Sequence, residues 1–99
     1  MLSINKNDNG AEFTVTLEGR LDTTTAPQLE AEMADCLDNV TELVIDVAGL
    51  EYISSAGLRV LLSFQKVMNR QGSMKIVHVC DTIMEIFEVT GFSEILTIE

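Results

Sequence analysis

Two adjacent serines, Ser54 and Ser55, precede Gly57 and a helical spacing of apolar residues, Leu58, Leu61, Leu62 and Met68. Arg59, Ser63, Lys66 and Arg70 form the polar stripe of the same segment. Upstream, Val44, Ile45 and Val47 make the β-branched apolar run of a buried strand that is expected to break at Gly49. The paired hydroxyls are therefore expected where a strand's exit loop turns into a helix N-terminus. Backbone N–H groups there lack intrahelical acceptors, and the helix dipole adds partial positive charge, so the position tolerates or attracts an anion. One serine could act simply as the N-cap. A second serine exceeds that need, and Gly57 in the first turn costs about 1 kcal/mol against alanine. A glycine there is better explained by something that approaches the backbone closely.

Asp22 and Asp46 are the carboxylates of interest. Both are expected at or just beyond the carboxyl ends of strands, the edge where open α/β sheets take ligands and where Ser55 should also lie. Each also has a local use, Asp22 in a loop turn and Asp46 in capping backbone. His78 is the only histidine and is expected in mid-strand between Val77 and Val79. It has no Cys or Asp at metal-ligand spacing, and nothing suggests that it reaches Ser54 or Ser55 for Ser-His-acid chemistry. No phosphate-cradling Gly-x-x-x-x-Gly-Lys occurs. The expectation is a protein without a catalytic site, metal or cofactor.

A net charge of −10 with only 6 Lys and Arg argues against nucleic acid and against an anionic membrane surface, since both need clustered cations. No run approaches the roughly 18 apolar residues of a membrane span, and the first residues lack the pattern of a signal peptide. A cytoplasmic location without membrane insertion is expected, with Cys36 and Cys80 as buried thiols. Ninety-nine residues, 46% hydrophobic and 22% charged, suit one globular domain over 1–99.

These groups must be positioned by alternating elements. Residues 2–5 read as a short strand, Asn7-Asp8-Asn9-Gly10 as a turn, and 11–18 as a second strand burying Phe13, Val15 and Leu17. Thr25 and Gln28 read as a capping box, opening a helix that runs through Ala26, Leu29, Met33, Cys36, Leu37 and Val40. Its outer face, Glu30, Glu32, Asp35 and Asp38, reads as solvated surface that could meet a basic partner. A strand at 42–47, a helix at 56–70 stopped by Gly72, and a strand at 74–79 follow. Asp81, Thr82 and Glu85 are expected to cap a third helix, with Ile83, Ile86 and Phe87 inward and Gly91 at its end, and 95–98 reads as a last strand. This order predicts an α/β fold with an open, mostly parallel sheet, an antiparallel edge hairpin and about three helices.

Two signatures carry a resemblance. Asp46 followed by Tyr52-Ile53-Ser54-Ser55-Ala56-Gly57-Leu58 is similar to the phosphorylation loop of STAS domains, specifically stand-alone anti-sigma factor antagonists. Leu17-Glu18-Gly19-Arg20-Leu21-Asp22, then Thr25-Ala26-Pro27-Gln28-Leu29, resembles the family's other signature, and the likeness runs from about residue 2 to residue 98. The resemblance implies a non-enzymatic switch that binds an anti-sigma factor serine kinase and is released on phosphorylation, which a serine phosphatase reverses. It makes Ser55 the phosphoacceptor, with Ser54 the second choice. It implies that Asp22, Asp46, Ser54, Ala56, Gly57 and Leu58 shape the loop or contact the partner. In the commonest pattern Asp stands where this chain has Ser54, which removes a fixed negative charge. Family members also commonly continue into a further helix after the last strand, whereas this sequence ends at Glu99, which could leave apolar surface for a partner or a second copy. Other STAS domains are constitutive subunits, for instance of lipid or anion transporters, and nucleotide binding at the Asp22, Asp46 and Ser55 edge is a third, less supported, use.

Overall fold

The structure is a computed structural model and describes residues 2–99. Strands β1 (Leu2–Asn9) and β2 (Glu12–Leu21) pair antiparallel across a turn at Gly10, whose φ is +80° and whose N–H donates to Asp8 Oδ1 at 2.9 Å. The ladder runs on to Asn9 opposite Glu12, so Asn7 and Asp8 are strand residues and not turn residues. Their turn preference is local, and pairing along the whole of β2 outweighs it.

Helix α1 (Ala26–Met33) is followed by β3 (Glu42–Ile53), α2 (Ser55–Gln71), β4 (Ser73–Val77), α3 (Asp81–Thr90) and a 3-10 turn at Phe92–Glu94. The sheet order is β1-β2-β3-β4, with β2, β3 and β4 mutually parallel. Its inward residues, among them Val15, Leu17, Ile45, Val47 and Ile76, meet Leu29 and Met33 of α1, Leu61 and Met68 of α2, and Ile83 and Phe87 of α3 in one core. This mixed sheet with an antiparallel edge and three helices is the architecture that the element order predicts.

Several boundaries differ from the expectation, each for a physical reason. Helix α1 stops at Met33 although Leu37 and Val40 are buried. Asn39 takes a left-handed φ of 67°, and the Gln71 side-chain amide donates to the Leu37 and Val40 carbonyls at 2.6 and 2.7 Å. Those carbonyls find a partner outside the helix, so the apolar period continues while the helix does not. Strand β3 does not break at Gly49 but runs to Ile53. After a register shift between Thr16 and Glu18, it pairs Gly49, Leu50, Tyr52 and Ile53 with the last residues of β2. Gly49 accepts the Glu18 stem, which a Cβ there would approach to 2.8 Å.

Strand β4 ends at Val77. His78 lies beyond it with φ +58°, so it is not a mid-strand residue. Cys80 occupies the N-cap of α3, which displaces the cap expected from Asp81, Thr82 and Glu85. Cys80 is exposed and Cys36 half-buried, both as free thiols, in place of two buried ones. The expected strand at 95–98 is a single parallel bridge, Ile76 to Ile98, with Ile76 N–H donating to Thr97 O at 2.8 Å. Ile95 and Leu96 stay out of it because their N–H groups donate back to Phe92 O at 3.0 and 2.8 Å.

Candidate functional site

The carboxyl ends of β2 and β3 meet the N-terminus of α2. Ser54 N–H donates to Leu21 O at 2.9 Å, which ties the serine loop to the end of β2. Ser54 is the N-cap, in extended backbone, and its hydroxyl accepts from Gly57 N–H at 3.4 Å. Ser55 is the first helical residue and is exposed. Ser54 thus supplies the cap, and the Ser55 side chain is not used for it.

Gly57 is buried, and a Cβ on it would lie 2.7 Å from Leu21 Cγ and 2.9 Å from both Ile53 Cγ1 and Leu21 O. What approaches this backbone is the end of β2. Leu58 is buried as well and Ala56 is half-buried. Gly57 and Leu58 therefore hold the loop in place from beneath, and the surface at this end is built by Ser55 and its exposed neighbours.

Asp22 follows the last residue of β2 and organises the turn into α1. Its Oδ1 accepts from the Thr24 hydroxyl at 2.7 Å and from the Thr24 and Thr25 N–H groups at 3.0 and 3.1 Å. The Thr25 hydroxyl accepts from Asp22 N–H at 2.8 Å and donates to Arg20 O at 2.8 Å, so the expected Thr25–Gln28 capping box does not form. Thr25 still holds the N-cap position, and the first helical N–H, that of Ala26, is taken by the Asp22 backbone carbonyl at 2.8 Å. The Thr24 hydroxyl first, and then the backbone and side-chain bonds from Thr24 and Thr25, hold its carboxyl down at about 2 from the ordinary 3.8, against partial desolvation. Because the folded value is depressed, this stabilisation is present above pH 4 and is lost as pH falls toward 2. A carbon-detected NMR titration of the side-chain carboxyl should place its midpoint near 2, and a midpoint near the ordinary value would mean that the turn is open in solution.

Next to Asp22, the Arg20 guanidinium stands 4.5 Å over the Tyr52 ring, with Arg20 Nε 3.8 Å from Asp22 Oδ2. Tyr52 is 37% exposed. Neither residue was singled out from sequence, because the register shift that sets Arg20 opposite Tyr52 is invisible there; the presence of one in each signature was the available signal.

Asp46 is not part of this cluster. Ile53 is the seventh residue beyond it along β3, roughly 20 Å of strand. Its Oδ1 accepts from Ala48 N–H at 3.0 Å, and its Oδ2 lies 3.1 Å from Nδ1 of the exposed His78. The ligand edge expected from Asp22, Asp46 and Ser55 together reduces to Asp22 and Ser55, and His78 has the carboxylate neighbour that its sequence surroundings did not show. Among the described residues no group of three or more His, Cys, Asp or Glu is placed to hold a metal ion, and no helix is long and apolar enough to cross a membrane.

Comparison with known proteins gives this arrangement a family. A family model described as "Mlab, STAS domain" matches residues 4–97. BtrV of Bordetella bronchiseptica, which bears the name of an anti-sigma factor antagonist, is 38% identical over 84 residues, 83% of this chain and 72% of its own. An anti-sigma factor antagonist from Mycobacterium paratuberculosis superposes with a TM-score of 0.88 at 22% identity, covering 99% of this chain and 85% of that one. The antagonist SpoIIAA of Bacillus aligns in its unphosphorylated form with a TM-score of 0.84 at 16% identity, over 98% of this chain and 88% of its own. Its phosphorylated form aligns with a TM-score of 0.75 at 16% identity, over 98% and 91%. The solved structures, all below a quarter identical, speak for the fold alone, while the family match spans nearly every residue described above: the chain belongs to the STAS domain family.

Proposed function

We propose that this STAS domain is an anti-sigma factor antagonist controlled by phosphorylation of Ser55. Unmodified, it binds an anti-sigma factor that is also a serine kinase. Transfer of a phosphoryl group to Ser55 Oγ ends the complex, and a serine phosphatase restores it. The observation that carries this reading is the exposed Ser55 hydroxyl at the first position of a helix whose cap is already supplied by its neighbour. BtrV and SpoIIAA, both named as such antagonists, support it, and SpoIIAA has been solved with and without phosphate.

The physics of the site agrees. A phosphate adds about −1.5 to −2 charge. At a helix N-terminus that charge is favourable to the fold, whereas in the middle of a contact surface it must be desolvated or repelled. The switch then acts on association and leaves folding alone. Ser54, where Asp is common in the family, sits at a helix N-cap, and Ser and Asp serve about equally well there. The replacement keeps the loop's shape and removes a charge that would repel the incoming phosphate. Asp22 would hold the β2 end rigid beneath the loop, and Arg20 with Tyr52 would supply contact area beside it.

Intact mass of the protein recovered from its host, beside Ser54→Ala and Ser55→Ala, tests the reading. One added phosphate that vanishes only in Ser55→Ala is the expected result. Absence of phosphate in every growth condition would sink the switch and leave a constitutive subunit of a larger complex, such as a transporter.

A further inference from the structure

A second surface lies at the other end of α2. Met33 and Leu37 on one side and Phe64 and Val67 on the other line a groove of about 340 Å³ between α1 with its following loop and the carboxyl half of α2. Its lining begins at Ser63, eight residues after Ser55, about 12 Å along the helix. Val67 stands 37% exposed at its edge. The loop wall is fixed, since Gln71 donates to both the Leu37 and the Val40 carbonyls.

Charge divides across this groove. The α1 side carries exposed Glu30 and Asp38 at the lip, whereas Glu32 faces β1 and pairs with Lys6 at 3.6 Å. The lining contains no Lys or Arg, and the nearest cations on α2, the exposed Lys66 and Arg70, lie outside it. Spaced at 100° per residue, those two fall on the outer side of α2 beyond Ser63 and Val67. An occupant is therefore drawn in with cations over α1 and anions toward Lys66 and Arg70.

Both walls are largely helix or loop whose carbonyls are already taken, so no strand edge is presented for β-addition. Two helical walls present i, i+4 ridges that accept a third helix lying between them. The volume suits about two large apolar side chains and sits at the small end of ligand pockets.

We propose that this groove docks an amphipathic helix of a partner protein, with apolar anchors at i and i+4 and Lys or Arg along the flank that lies over α1. The surface is separate from Ser55, so a partner held here stays bound whether or not the loop is modified.

A displayed library of amphipathic helices of about 15 residues, with both flanks randomised, is selected against the whole protein. Selected peptides should be rich in Lys and Arg on one flank. Their affinity should fall about tenfold or more on the Glu30→Lys, Asp38→Lys double variant and on Val67→Asp, all at exposed positions, with melting temperature as the control for folding. Selection of peptides without a charge bias, binding that survives both variants, or no selection at all overturns the proposal. Uptake of an apolar dye into the groove with no peptide selected would make it a small-ligand pocket instead, and overturns it too.

Discussion

Replacing Gly72 by alanine is expected to destabilise the protein by about 3 kcal/mol or more, the upper end of what overpacking a tight site does. Gly72 closes α2, its N–H donating to Met68 O at 2.7 Å, and its φ of 172° is extended backbone that any residue adopts. The requirement for glycine is steric. A methyl group there would overlap the Thr41 carbonyl oxygen and lie 2.6 Å from its carbon, and that same oxygen accepts the Ser73 N–H at 2.9 Å to start β4. Backbone on both sides must move, because no flexible side chain is present to yield. At about 4–8 °C per kcal/mol for a domain of this size, the melting temperature should fall by more than about 12 °C. Gly10→Ala is the control: nothing lies within 4 Å of its Cβ, so only the left-handed φ of 80° resists, at about 1 kcal/mol. Melts of the two variants beside the parent decide the matter, and a Gly72→Ala protein within a few degrees of the parent would remove the close contact with Thr41.

If the proposed partner is an anti-sigma factor, Ser55→Glu should weaken association with it by about 2–5 kcal/mol, the cost of leaving a charge unpaired in a contact surface. That is roughly 30-fold to several thousandfold in Kd. The fold should hold or gain slightly, since a carboxylate in the first turn of a helix is worth about 0.3–1 kcal/mol. Calorimetric titration with Ser55→Ala and Ser54→Ala alongside separates the two serines. Ser54→Ala removes the cap, so it should lower stability by about 1 kcal/mol while leaving the affinity of the folded protein near that of the parent. A Ser55→Glu protein that binds normally, or that fails to bind because it has unfolded, would defeat the proposed switch.

The strands and helices that carry the serine loop were legible because their apolar periods are strong: Val44 to Val47, Leu58 to Met68, and the alternation from Phe13 to Leu17. The junction at Ser54 and Ser55 followed from them. What was hidden depends on contacts between distant residues. The second half of β3 is polar enough, with Glu51 and Tyr52, to read as connection, and only its pairing with Arg20 and Leu21 makes it strand. That extension carries Asp46 away from Ser55 and turns Tyr52 under Arg20, so one expected site residue left the cluster and two unsuspected ones joined it. The early end of α1 has the same origin, since the carbonyls past Met33 are satisfied by Gln71 from thirty or more residues away. Caps read from short motifs fared worst. Thr25 keeps the N-cap position of α1, but its hydroxyl is engaged with Asp22 N–H and Arg20 O, and at α3 the N-cap position falls on Cys80 and not on Asp81.

The two borders of the sheet differ. Beyond β4 the chain returns to place Ile98 against Ile76, so that border is partly occupied by the protein itself. Along β1, Ser3, Asn5, Asn7 and Asn9 are exposed over a strand whose outer backbone groups face away from β2. The longer free border is therefore β1. Joining β1 to the β1 of another copy would close with two-fold symmetry, whereas endless stacking would also have to use the β4 border. There the incoming strand would have to displace the Ile98 bridge, which holds both backbone groups of Ile76, so the bridge tilts any edge-to-edge pairing of this sheet toward β1.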